Sequence, residues 1–295
     1  ETLAWAANEN SKKRFKSNFN LWTLQASLKW SKKKITVALA GDGADELFGG
    51  YDRYQKIANH WKKINTLPNW INITSNKMAF YLGDSDFRFL KSLGKKIKRY
   101  GHADIESLFS DEMSRWRPDE KIYNQNDLGK NNFDIKSIFP DNIISNYRYL
   151  MLIDILTYLP GNLLVKTDRA SMFQGLEVRN PFLDQDLVKL VWSLPDNYLN
   201  MNRSKSILRD ILADHLPYSI TNRKKQGFEP PLNKWLRGEL KNWAYDVLST
   251  KDNFFDEKKL KNMFENFLKG EKKLTYKLWT IIMLKAWYHF HIKNY

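Results

Sequence analysis

The chain has 295 residues, and 42% of them are apolar, which suits one large domain or two smaller ones with a sizeable core. It has no cysteine, which excludes disulfides, thiolate zinc sites and cysteine nucleophiles and fits a cytoplasmic protein. Lys and Arg number 48 against 33 acids, for a net charge of +15, but the excess is mostly lysine spread along the chain, and the basic runs at Lys32–Lys34, Lys95–Arg99 and Arg223–Lys225 are short; it reads as a solvated surface, with no nucleic-acid partner.

The chain starts at Glu1 without an initiating Met, and it reads as a piece cut from something longer. Residues 1–34 turn from polar to amphipathic, and Phe19, Leu21, Trp22, Leu24, Leu28 and Trp30 predict a helix. Ile35–Ala40 is mostly apolar and reads as a buried strand. It runs into Gly41-Asp-Gly-Ala-Asp-Glu-Leu-Phe-Gly-Gly50, where glycines let the backbone turn tightly beneath a ligand. Asp42, Asp45 and Glu46 crowd three negative charges into five positions of a basic chain. A divalent cation, or a reaction that develops positive charge, would account for that reversal of sign.

A helix is predicted from about Glu46 towards Ile64. Over residues 65–145, short apolar patches alternate with lysines and asparagines, which reads as helices with long loops. From Tyr149 to Leu164 the pattern is strongly apolar, and Lys166-Thr-Asp-Arg169 follows. Pro181 biases Asn180 away from helix and marks a boundary. Asp186 to Leu194 and Ser204 to Leu216 read as amphipathic helices. In Asn222–Pro231, Gly227 and the paired prolines exclude a helix. Trp235 to Ser249, Glu257 to Leu268 and Leu274 to Phe290 read as closing helices. The longest candidate, Leu278 to Ile292, is broken by Lys285 and two histidines, so no membrane span is expected. The chain is read as mostly helical, with one strand visible and no internal repeat.

Several blocks together resemble the synthetase domain of the asparagine synthetase family. They are Gly41-Asp-Gly-Ala-Asp-Glu-Leu-Phe-Gly-Gly-Tyr51, Leu163-Leu-Val-Lys-Thr-Asp-Arg-Ala-Ser-Met172, Leu176-Glu-Val-Arg-Asn-Pro-Phe-Leu-Asp184, and Arg223-Lys-Lys-Gln-Gly-Phe228 with Pro231-Leu-Asn-Lys-Trp-Leu236. Leu278-Trp279 and Ala286-Trp287 are similar to the family's closing helix. Their order matches the family over roughly residues 35–290.

The resemblance implies an α/β fold: an adenine-nucleotide α-hydrolase-like parallel sheet, mostly helical over the C-terminal part. It implies an ATP-dependent ligase, with ATP and magnesium as cofactors. Aspartate and ATP give a β-aspartyl-adenylate and pyrophosphate, and ammonia drawn from glutamine then displaces AMP. Asp42 matches the family's acidic general base, often Glu, which removes a proton as attacking ammonia becomes cationic; the plainer reading is a turn-forming Asp beside glycine. Asp45 matches the magnesium-binding acid, although it could also cap a helix. Glu46 sits where the helix dipole alone would explain it. Ala40 and Gly41 match backbone that touches the nucleotide; many relatives carry Ser at the Ala40 position. Lys225 matches the lysine that stabilises pyrophosphate, the plainer reading being a solvated loop lysine.

Lys166 resembles an active-site cation, three residues from Arg169 on one side of a helix. Asp168 with Arg169, and Glu177 with Arg179, read as structural pairs. Asn162 stands where relatives often carry an acid that helps hold the substrate. Trp279 and Trp287, eight apart, share a helix face and read as core.

The family's Ser-Gly-Gly-x-Asp-Ser pyrophosphate loop does not occur in this sequence, nor does the N-terminal cysteine of its glutaminase half. The upstream Asp-Glu-Pro element survives at most as Asn8-Glu9-Asn10. Residues 1–295 are therefore read as a partial synthetase domain. A glutaminase domain or missing N-terminal part is the expected partner, beside the small-molecule substrates. The alternatives are an amidotransferase acting on another carboxylate, such as a sugar acid, and an inactive or split fragment acting as a subunit. A β-lactam-closing relative would carry tyrosine at the Asp42 position.

Overall fold

Two short strands and the helices between them place the glycine-rich loop. The computed structural model describes residues 28–68, 74, 78, 97, 100–102, 104–116, 145–199, 203–221, 230–252 and 254–292. Val37–Leu39 (β1) pairs in parallel with Glu177–Arg179 (β2), with Val37 opposite Glu177 and Leu39 opposite Arg179. A parallel pair needs a crossover. Here the crossover contains α1 (Ala44–Leu47), α2 (Asp52–Asn65), α3 (Ile105–Met113), α4 (Asn146–Leu156) and α5 (Val165–Met172). The described residues are thus mostly helical around a small parallel sheet, an α/β arrangement.

The predicted strand is present but not buried throughout. Side chains alternate across a strand, so its apolar residues divide between two faces. Ala38 and Val178 pack inward with Leu28, Ala170 and Leu176. Val37 and Leu39 face outward, 38% and 74% exposed. Parallel sheets are ordinarily covered on both faces; here, among the described residues, one face is open.

The single helix predicted from Glu46 is two helices, α1 and α2, with Gly49-Gly50 between them. α2, α3 and α4 pack around Tyr54, Ile57, Ile64, Leu108, Leu150 and Met151. The Asp104 side chain caps α3 by accepting from the Ser107 N–H at 2.8 Å.

A π-helical turn, Leu159–Leu164, joins α4 to α5. The whole run Asn146–Met172 is long and apolar enough, by length and composition, to cross a membrane, a property that reading the sequence as uninterrupted apolar runs did not register. Eight consecutive residues of it, Tyr147–Asp154, are buried in the fold. The two charged groups of this buried stretch have internal partners: Arg148 Nε lies 2.5 Å from Asp196 Oδ1, and Asp154 binds Arg53.

α6 (Gln185–Ser193), α7 (Ser206–Ala213) and α8 (Tyr218–Thr221) follow. The first predicted closing helix divides at Gly238 into α9 (Leu232–Arg237) and α10 (Lys241–Ser249). With α11 (Glu257–Leu268) and α12 (Thr275–His291) they enclose Leu236, Leu248, Leu260, Phe264, Leu278 and Ile282. Lys285, buried in α12, bonds Asp252 Oδ2 at 2.5 Å and the Thr250 carbonyl at 2.8 Å. Trp279 packs on this cluster and Trp287 beneath the sheet, so both serve the core.

Candidate active site

The loop after β1 spreads its acids in different directions. The Ala40 N–H donates to the Arg179 carbonyl at 2.9 Å, which extends the ladder one residue past β1. Gly41 is exposed. Asp42 Oδ2 accepts a 2.8 Å hydrogen bond from the Thr167 hydroxyl. Thr167 lies in α5, is only 7% exposed, and is the chain neighbour of Lys166. The buried hydroxyl restrains this carboxylate from one side.

Asp45 lies in the first turn of α1 but does not cap it. The cap position is Gly43, at φ 92°, with no side-chain hydrogen bond. Asp45 Oδ1 instead lies 3.0 Å from Lys205 Nζ. Glu46 points into the core, 1% exposed, and accepts from the Tyr51 hydroxyl at 2.8 Å. Burial raises the proton affinity of Glu46, and burial with the Glu46 contact raises that of the Tyr51 phenol. Glu46 does lie in the first turn of α1, and its burial against Tyr51 adds a second constraint there.

Behind the loop lies a polar network. Asp154, 0% exposed, accepts from Arg53 Nη2 and from the Tyr54 hydroxyl, each at 2.5 Å. Burial and the Asp154 carboxylate push the Tyr54 phenol up. Burial alone would lower Arg53, but its bond to Asp154 holds it fully charged. The Arg53 guanidinium lies 3.8 Å from the Tyr51 ring centroid and 5.3 Å from that of Tyr158. Burial pushes Tyr147 up to about 12, so its hydroxyl stays a donor and bonds the Gly49 carbonyl at 3.0 Å. These bonds tie the loop to α4 and to the π-helical turn, a conformation frequent at functional sites.

The donor set fits magnesium in a limited way. Among the described residues, no three His, Cys, Asp or Glu side chains converge as a metal cluster. Asp42 is held by Thr167 and Glu46 is buried against Tyr51, which leaves Asp45 as the loop acid paired with an ammonium. One carboxylate suits a magnesium ion that completes its shell with water and phosphate oxygens, and it does not suit an all-protein cage.

A family model described as asparagine synthase matches residues 12–289. The chain belongs to the asparagine synthase family. It is similar to asparagine synthetase [glutamine-hydrolyzing] 1 of Bacillus subtilis, 28% identical over 278 residues, which is 90% of this chain and 42% of that protein. It is also similar to asparagine synthetase [glutamine-hydrolyzing] 3 of the same organism, 29% identical over 251 residues, which is 82% of this chain and 35% of that protein. The chain thus spans less than half the length of these relatives.

Within this asparagine synthase framework, Ala40, Gly41, Asp42 and Asp45 sit on one loop at the end of β1, and Asp42 meets α5. Lys166 is half-buried in α5, and Asn162 is exposed in the π-helical turn. Lys225, with the rest of the loop at 222–229, lies outside the described residues, as does Asn8-Glu9-Asn10. Glu177 and Arg179 form the expected pair at 2.7 Å, both exposed. No ion pair joins Asp168 to Arg169 among the described residues.

Thr167, Lys205 and Asp154 were not singled out by their sequence context. Only Asp154 carried a usable signal: it is a lone acid inside the apolar stretch Tyr149–Leu164, and a buried charge needs a partner.

Proposed function

We propose that this chain is the C-terminal part of the synthetase domain of an ATP-dependent amide-forming ligase that makes asparagine. On this reading β1 and β2 belong to an adenine-nucleotide α-hydrolase-like sheet, and residues 1–295 form a partial domain. A further part of the protein contributes the pyrophosphate loop, and a glutaminase domain contributes ammonia. A cysteine-free composition suits the cytoplasm.

The observation that carries this reading is the Thr167–Asp42 bond at the carboxyl end of β1. Ligands of open α/β sheets bind at strand carboxyl ends, and the bond restrains a carboxylate there from one side. In the proposed reaction the aspartate β-carboxylate attacks the α-phosphorus of ATP and pyrophosphate leaves. Ammonia then attacks the acyl carbon of the adenylate, AMP leaves, and Asp42 takes the proton from the nitrogen as it turns cationic. Asp is one methylene shorter than the acid often found in the family, so its reach differs. Lys225 places an ammonium against the pyrophosphate oxygens, where charge gathers during adenylation. Lys166 supplies a second cation from α5. Ala40 and Gly41 form the backbone shelf for the nucleotide, through groups other than the Ala40 N–H, which is committed to Arg179. Asp45 is the residue that would hold magnesium, whose charge offsets that of the departing pyrophosphate.

Asn162 favours a second reading. A neutral, exposed amide stands where relatives often carry a substrate-holding acid, which suits a different carboxylate, such as a sugar acid.

The test is isotope exchange. Combined with the missing part of the domain, the chain is expected to exchange labelled pyrophosphate into ATP only when aspartate is present. Lys225→Ala is expected to slow this by roughly 100-fold or more, as loss of a transition-state donor does. Full exchange in that variant would reject the assignment. Exchange supported by another acid and not by aspartate would select the second reading. No exchange with any acid would leave a fragment acting as a subunit.

A further inference from the structure

Lys205 has a backbone conformation that its side chain does not favour. With φ 54° and ψ 40° it is left-handed, and it is the one non-glycine residue with positive φ among the described residues. Asn, Asp and Gly enter this region readily, whereas a lysine gains nothing local from it. Such conformations persist where their surroundings hold them, and they gather at ligand clamps and switches.

Two contacts hold this one. Lys205 stands at the N-cap of α7, where its carbonyl accepts from the Arg209 N–H at 2.9 Å. At its other end, Nζ lies 3.0 Å from Asp45 Oδ1. Gly50 leaves the room for that contact, since a Cβ there would overlap both the Asp45 carboxylate and Lys205 Cε. The fold therefore keeps a strained lysine and a bare glycine around a single carboxylate.

The pair is more open than the two ion pairs sealed in the fold. Lys285 and Asp252 are sealed, with side chains 1% and 2% exposed. The Asp154 carboxylate is likewise 1% exposed. Lys205 and Asp45 keep 29% and 22%. Partly solvated pairs are weak and exchange easily.

We propose that Lys205 is a tethered counter-ion for Asp45 that couples cation binding at this carboxylate to phosphate binding beside it. This rests on the reading of Asp45 as the magnesium ligand. A bare divalent cation competes with the ammonium for this carboxylate, and the two positive charges repel each other. A phosphate arriving with the cation reverses the sign, because it neutralises the cation and offers the ammonium an acceptor. Lys205 therefore opposes a bare cation and favours a cation–diphosphate pair. It is a positioning residue for charge at the loop and takes no proton in the reaction.

The experiment measures Mn²⁺ binding to the full chain by electron paramagnetic resonance, with and without inorganic pyrophosphate. Lys205→Met is expected to bind bare Mn²⁺ more tightly and Mn²⁺–pyrophosphate more weakly, each by roughly fivefold or more, the lower end of ordinary coupling between sites. Lys205→Arg keeps the charge and is expected to keep the wild-type preference. A merely structural lysine would move both affinities in the same direction. Parallel shifts, or none, in Lys205→Met would overturn the proposal, as would loss of the preference in Lys205→Arg. Asp45→Asn separates the two levels of the argument. If it weakens Mn²⁺ binding while Lys205→Met shows no opposed shifts, only the role of Lys205 fails. If Asp45→Asn leaves Mn²⁺ binding unchanged, the metal reading fails with it.

Discussion

The closing helices and the loop at the sheet are held by different forces. α9–α12 enclose aliphatic and aromatic side chains such as Leu236, Leu260, Phe264 and Phe267, none more than 2% exposed. Their stability comes from buried area, which is additive and tolerant of small shifts. The loop has buried area at Leu47 and Phe48 but adds directional pairs to it: Asp42 with Thr167, Asp45 with Lys205, Glu46 with Tyr51, and Asp154 with Arg53 and Tyr54. Such pairs fix geometry, but each adds little net stability once desolvation is counted. One half of the molecule is built to persist and the other to aim its groups.

The sharpest way to break this comparison is to cut into both regions. Phe264→Ala removes a ring from the middle of the bundle core, and a loss of about 3–5 kcal/mol is expected from denaturant unfolding. A loss below about 1 kcal/mol would mean that area does not hold this half.

Glu46→Gln should act in the opposite direction, and only over part of the pH range. Burial raises the proton affinity of Glu46 in the folded chain above its ordinary value of 4.5. Between that value and the raised one, the folded state holds a proton that the unfolded state has released. Stability is therefore fully present below pH 4.5 and falls as pH climbs through the folded value. Gln stays neutral and still offers a carbonyl to the Tyr51 hydroxyl. Thermal melts of the variant should exceed wild type at neutral pH and converge with it in acid. A variant less stable than wild type at neutral pH would show that the charge itself supports the loop.

Leu39→Thr should do least. Leu39 is 74% exposed on the open face of β1, so a change within about 0.5 kcal/mol is expected. A loss approaching that of Phe264→Ala would mean that this face is covered in solution.

These contrasts follow the division between what the sequence made visible and what it hid. α6, α11 and α12 appeared near their predicted bounds because a helix that buries one face repeats its apolar residues at the helical period. The loop acids stood out because they reverse the local charge. The break between α1 and α2 was hidden, because the apolar period runs on while the chain turns at Gly49-Gly50. The exposure of Val37 and Leu39 was hidden as well, because an apolar run does not say which face is covered. Asp42 and Asp45 were legible as a motif, but their partners were not. Thr167 is an ordinary small residue between Lys166 and Asp168, and nothing around Lys205 announces a left-handed lysine. Both are defined by what lies across the fold, and a single sequence does not print distances.

The parallel pairing of β1 with β2 also sets an order of events. Asp42 and Thr167 are 125 residues apart in the chain, and β1 meets β2 across a similar span. Closing so long a loop costs chain entropy before any contact rewards it, whereas α9–α12 collect near neighbours. Helices with local contacts form early and long-range strand pairing forms late. A nascent chain that has not yet emerged past Arg179 can already hold α2 against α4, yet it has no second strand to dock β1. The acidic loop thus takes its final shape only after Arg179 has emerged.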